Sequence, residues 1–132
     1  QLRRACLLIR AGARFIGTNP DTTFPAEDGI VPGCGALLAL LRAGTEQEPF
    51  VIGKPGPALF EAAIELLGVD RSTTLTVGDR LDTDIAGSRA AGLPSVLVLT
   101  GVTTPDDLDR SQIQPDMVVA DLPDLIAAFN EA

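Results

Sequence analysis

From Phe50 onward the chain alternates short apolar runs with amphipathic segments, and this alternation constrains its fold more than any other feature. Residues 50–52 form an apolar run that enters Gly53-Lys54-Pro55, and residues 57–67 carry a helical face of Leu59, Phe60, Ala63, Ile64 and Leu67 stopped by Gly68. Residues 74–77 read as a second strand, which enters Gly78-Asp79-Arg80-Leu81-Asp82. A helix predicted to be capped by Thr83 then runs to Ala91 and stops at Gly92. Residues 95–99 are unbroken apolar sequence after Ser95, which suits a strand covered on both faces, as in a parallel sheet. Residues 117–120 read as a further strand and residues 122–129 as a final helix. Strands alternating with helices predict an α/β layer on a parallel sheet, with ligands at the carboxyl ends of the strands. The loops at Lys54 and Asp79 both leave such ends, which places them on one rim.

Residues 1–49 differ in character. Residues 2–11 read as an amphipathic helix and residues 14–17 as a short strand. Residues 20–33, rich in proline and glycine, read mostly as loop. Residues 34–43 form an apolar helix closed by Gly44. The change at Phe50 divides the chain into 1–49 and 50–132. Its 132 residues are enough to bury a core.

Composition removes several chemistries. The chain has no histidine, so it holds no Ser-His-Asp triad, no Cys-His pair and no histidine metal site of its own. The net charge of −8 disfavours nucleic acid as a partner. Cys6 and Cys34 form no CxxC motif and read as reduced thiols, which suits the cytoplasm. No stretch approaches the ~20 apolar residues of a membrane span. Carboxylate, lysine, hydroxyl and hard-metal chemistry remain.

Two motifs carry that chemistry. Gly78-Asp79-Arg80-Leu81-Asp82-Thr83-Asp84-Ile85 sets three carboxylates within six positions at a strand end. Mg²⁺ takes oxygen ligands, commonly one or two carboxylates completed by water and phosphate. Asp79, at the strand end, is the candidate ligand. Asp84 sits where a helix dipole favours an anion. Turn formation by Asp79 and helix-start placement of Asp82 and Asp84 are the competing structural readings. In Gly53-Lys54-Pro55, Lys54 is the only lysine beside nine arginines. It can meet a phosphate as a compact point charge, or it can be an ordinary surface lysine.

Together these segments resemble motifs III and IV of the haloacid dehalogenase (HAD) superfamily, in its NagD-like, 4-nitrophenylphosphatase and phosphoglycolate phosphatase branch. The Gly17-Thr18-Asn19-Pro20-Asp21 and Pro32-Gly33-Cys34-Gly35 segments resemble the cap domain of that branch. The resemblance implies a Rossmann-like core with an α/β cap: residues 1–49 as the C-terminal part of the cap, residues 50–132 as the C-terminal part of the core. It implies a Mg²⁺-dependent phosphatase that hydrolyses a small phosphorylated metabolite through an aspartyl-phosphate. Lys54 would hold the nucleophile and phosphate, Asp79 would ligate Mg²⁺, Asp84 would support the metal shell, and Asn19 and Asp21 would meet substrate from the cap. No DxDGT-like nucleophile motif and no motif II are present, so the chain is expected to be part of a longer enzyme and inactive alone. The competing expectation is a non-catalytic α/β module associating through its sheet edge. An open edge at residues 74–77 predicts a homo-oligomer.

Overall fold

The computed structural model describes residues 1–130, which divide after Gly53 into two compact units. Among the described residues no helix is long and apolar enough to cross a membrane.

In the first unit, α1 (Leu2–Arg10) packs on α2 (Cys34–Thr45), and β1 (Ile16–Gly17) pairs in parallel with β4 (Phe50–Val51). Between them β2 (Thr23–Ala26) and β3 (Gly29–Pro32) form an antiparallel hairpin, with Phe24 opposite Val31 and Pro25 opposite Ile30. This corrects the expectation of loop over residues 20–33. The prolines obscure the strand pattern, but in a two-stranded ladder both strands are edges, where a missing N–H is tolerated. Gly44 does not close α2 either. It lies inside the helix, which ends at Glu46 in the left-handed conformation (φ 59°), its N–H bonded to the Arg42 carbonyl.

β4 also departs from expectation. It is exposed at Phe50 and belongs to the β1–β4 pair, so it does not extend the sheet that carries Asp79. The break in the chain therefore falls after Gly53, three residues beyond β4's first residue, and the loops at Lys54 and Asp79 do not leave one common sheet.

The second unit is a three-stranded parallel sheet in the order β5 (Thr76–Gly78), β6 (Ser95–Val98), β7 (Met117–Val119). Central β6 is buried along its whole length, as its apolar sequence predicts. The unit also contains α3 (Ala58–Leu67), α4 (Ala86–Ala90), α5 (Pro105–Arg110) and α6 (Leu122–Asn130), the last packed on β7. Leu81, Ile85 and Leu97 form the buried core, with Leu99, Leu108 and Ile113 packed against it. Gly68 and Gly92 terminate α3 and α4 at φ +62° and +67°, where a side chain would be strained. At the other end of the sheet, buried Ser95 gives both its N–H and its hydroxyl to Asp116, tying β6 to the start of β7.

Candidate active site

The predicted helix after Asp79 begins differently from the expected Thr83 cap. Residues Leu81–Ile85 wind as a π-helical turn that leads directly into α4, and the N–H groups of Asp84 and Ile85 both point to the Arg80 carbonyl. The wider turn carries Asp84 inward. Its carboxylate is nearly buried, and one oxygen, Oδ2, accepts from the Asp79 N–H (3.2 Å) and the Arg80 N–H (3.1 Å). The other, Oδ1, accepts from the Lys54 ammonium. Single-turn π segments of this kind recur at functional sites because they re-aim side chains.

Gly78 makes the arrangement possible. A Cβ there would lie 2.5 Å from Asp84 Cγ, so any side chain would expel the carboxylate from its seat. Asp84 thus ties the strand end, the turn and Lys54 together. Lys54 remains 44% exposed along its side chain, and its ammonium carries three donors, one of which is given to Asp84.

Asp79 is held from the opposite side. Its Oδ2 accepts from the Val102 N–H (2.8 Å), and its backbone carbonyl accepts from the Thr103 N–H (3.1 Å). Among the described residues nothing bonds Asp79 Oδ1. The loop that provides these donors, Thr100-Gly101-Val102-Thr103, drew no notice in the sequence. It follows β6 and ends at Thr104, where a reciprocal Thr104/Asp107 capping box with Pro105 at the first turn opens α5. That box, a Thr followed three residues later by an acid, is the signal that could have located α5 and with it the loop.

Asp82 points elsewhere. It forms a two-pronged ion pair with Arg80 (3.1 and 2.8 Å) at the surface, and that hydrogen bonding with Arg80 holds its carboxyl below the ordinary range. Of the three motif acids, one is a surface partner, one an internal anchor, and one presents an unbonded oxygen.

As a metal site the donor set fits in part. Among the described residues no group of three or more His, Cys, Asp or Glu side chains could hold an ion. Asp79 Oδ1 can supply one hard, anionic oxygen, whereas both Asp84 oxygens are engaged. One fixed carboxylate suits Mg²⁺, which commonly keeps water and phosphate oxygens for the rest of its shell.

In the first unit, Asn19 and Asp21 are brought together at a cavity of about 370 Å³ that Phe24 and Cys34 also line. Asn19 Oδ1 accepts from the Asp21 N–H at 3.1 Å, and the Asp21 carbonyl accepts from the Gly35 N–H at 2.7 Å, so the turn is locked onto the start of α2. The Thr18 hydroxyl lies 3.4 Å from the Cys34 sulfur, and this hydrogen bond is the chief cause pulling the thiol below its usual value.

Lys54, the nearly buried Asp84 and the strand-end Asp79 are thus gathered at one place beside the parallel sheet. The chain belongs to the HAD-hydrolase-like family, whose model matches residues 51–125 and so spans Lys54, Asp79 and Asp84. It is 52% identical over 103 residues to a D-glycerol 3-phosphate phosphatase of Mycobacterium tuberculosis, covering 78% of this chain and 29% of that protein. It is 40% identical over 124 residues to a dihydroxyacetone phosphatase of Corynebacterium glutamicum, covering 94% of this chain and 45% of that protein. Among solved structures, a glycerol phosphate phosphatase of Mycobacterium tuberculosis in complex with magnesium superposes with a TM-score of 0.81 at 45% identity, over 94% of this chain and 38% of that one. The chain therefore spans less than half the length of these relatives.

Proposed function

We propose that this chain supplies the lysine and metal side of a Mg²⁺-dependent phosphomonoesterase acting on a small phosphorylated metabolite, with the first unit contributing to a cap and the second to the catalytic core. The observation that carries the reading is the Lys54–Asp84–Asp79 arrangement: an ammonium steadied by a nearly buried carboxylate, beside a strand-end carboxylate with one oxygen unbonded. The phosphatase names and the magnesium complex among its relatives support the same reading.

In this reading Lys54 offsets charge on the phosphoryl oxygens and orients the attacking carboxylate, which lies in a segment not contained in these 132 residues. Asp79 Oδ1 would hold Mg²⁺, and the bound ion would supply electrostatic stabilisation of the transferring phosphoryl group. Asp84 keeps the Lys54 ammonium and the Asp79 backbone in place, and through them it would support the metal shell. Asn19 and Asp21 would be substrate-binding residues of the cap. The reaction proceeds through an aspartyl-phosphate that water hydrolyses, the logic of covalent catalysis at a carboxylate.

The test is hydrolysis of small phosphate monoesters with Mg²⁺ by the enzyme carrying residues 1–132 together with the nucleophile segment. Turnover that collapses in Asp79→Asn and Lys54→Ala supports the reading. A folded enzyme without phosphatase activity, or hydrolysis of 4-nitrophenyl phosphate by the 132-residue chain alone, would overturn it.

A second reading, association of copies through the sheet, rests on β5. Among the described residues β5 pairs only with β6, and Val77 on it is 44% exposed. Unpaired edges recruit partner strands.

A further inference from the structure

We infer that the loop Gly101-Val102-Thr103 is a positioning element that makes Asp79 a one-oxygen metal ligand, with Gly101 as its determining residue. The inference rests on the proposed metal role of Asp79 and deepens it.

A carboxylate at a strand end has two equivalent oxygens and a rotatable side chain, so by itself it can present either oxygen or both. Here the symmetry is broken. The Val102 N–H donates to Oδ2, and the neighbouring Thr103 N–H donates to the carbonyl of the same residue. Two successive amides of one loop therefore grip the side chain and the backbone of Asp79 together, leaving Oδ1 open.

This grip requires that the loop backbone lie against the carboxylate. A Cβ on Gly101 would overlap Asp79 Oδ2 and stand 2.5 Å from Asp79 Cγ. No rotamer of an added side chain avoids that collision, because the obstructing atom is the Cβ itself. Either the loop withdraws and the Val102 bond is lost, or the carboxylate turns away from its present direction.

The loop is also braced at both ends. Upstream it leaves β6, whose Val96, Leu97 and Val98 are buried. Downstream, buried Thr103 and the Thr104/Asp107 capping box fix its exit into α5. The loop is thus a rigid donor for Asp79. Partners that orient a metal ligand without touching the metal typically change affinity by ~10- to 100-fold when removed.

The experiment is titration of the metal-free enzyme, carrying residues 1–132 with the nucleophile segment, with Mg²⁺ alone by calorimetry. For Gly101→Ala the dissociation constant for Mg²⁺ should rise by ~10-fold or more. The Mg²⁺ concentration giving half-maximal turnover should rise in parallel, with activity partly recovered at high Mg²⁺, while the metal-free melting temperature moves little. Should Gly101→Ala fail to fold, amide exchange decides. In Asp79→Ala the Val102 amide should lose protection selectively, while Thr103, bonded to the retained backbone carbonyl, keeps its own. Unchanged Mg²⁺ affinity in a folded Gly101→Ala enzyme, or equal protection of Val102 with and without the Asp79 carboxylate, overturns the inference. If Asp79→Asn itself leaves Mg²⁺ binding intact, the metal reading fails first. If Asp79→Asn abolishes binding and Gly101→Ala does not, only the positioning role of the loop is wrong.

Discussion

Replacing Asp84 by asparagine preserves the shape of the side chain but removes its charge and one of its two acceptor atoms. In the native arrangement Oδ2 serves the Asp79 and Arg80 amides and Oδ1 serves Lys54. An asparagine oxygen can satisfy only one side. If it keeps the two amides, its NH₂ group faces the Lys54 ammonium, donor against donor. Lys54 is 44% exposed and can turn to water, so that loss is worth about 1 kcal/mol, the upper end for a solvated pair. The two amide bonds change from charge-assisted to neutral, and because they share one oxygen their joint loss is about 1–2 kcal/mol. The expected destabilisation is therefore about 2–3 kcal/mol, or a fall of about 8–12 °C in melting temperature for a chain of this size. The chain has no tryptophan or tyrosine, so far-UV circular dichroism during urea and thermal unfolding is the assay. Asp82→Asn, which loosens only the exposed pair with Arg80, is the control and should cost less than about 1 kcal/mol. If Asp84→Asn costs no more than Asp82→Asn, Asp84 is not the anchor of this site.

In the enzyme with its nucleophile segment, Lys54→Ala should lower kcat by on the order of 10²–10³-fold, as expected for loss of one preorganised charge-stabilising group, and Asp82→Ala should leave it near native in the same steady-state assay. Asp116 is held below its ordinary value of 3.8 chiefly by the Ser95 N–H and then by the Ser95 hydroxyl. Its folded value is depressed, so its stabilising contribution is complete above 3.8 and is lost as pH falls through the lower folded value. Asp116→Asn should therefore flatten the acid limb of the stability–pH curve below 3.8, and superimposable limbs would contradict the assignment. Thr104→Ala removes the cap of α5 and should cost about 1 kcal/mol in urea unfolding, with no loss if the capping box is idle. Light scattering on the 132-residue chain should report a dimer or larger assembly, and a monomer at high concentration would rule out pairing through β5.

The parallel β6, the helix stops at Gly68 and Gly92, and the identities of Lys54, Asp79 and Asp84 were legible in the sequence because each rests on local chemistry. An unbroken apolar run demands cover on both faces. A glycine after a helical pattern supplies the left-handed residue that ends it. A lone lysine and a strand-end acid can be read as charges in rigid places. Other features required the fold. The hairpin at residues 20–33 exists because two weak, proline-bearing strands complete each other's hydrogen bonds, which neither segment reveals alone. Phe50 and Val51 resemble a core strand, but strand pairing is a choice of partner, and they pair with Ile16 and Gly17. The division of labour among the three motif acids is likewise tertiary. Residues 82 and 84 differ by two positions in the sequence, yet the π-helical turn sends one to solvent and the other inward to Lys54, thirty residues away along the chain. Asp79 and Gly101 are brought together only because β5 and β6 lie side by side, so that the loop leaving one strand closes over the end of the other. Spacing along a sequence can nominate a carboxylate. Which of its oxygens is left free depends on donors that chain topology delivers from elsewhere.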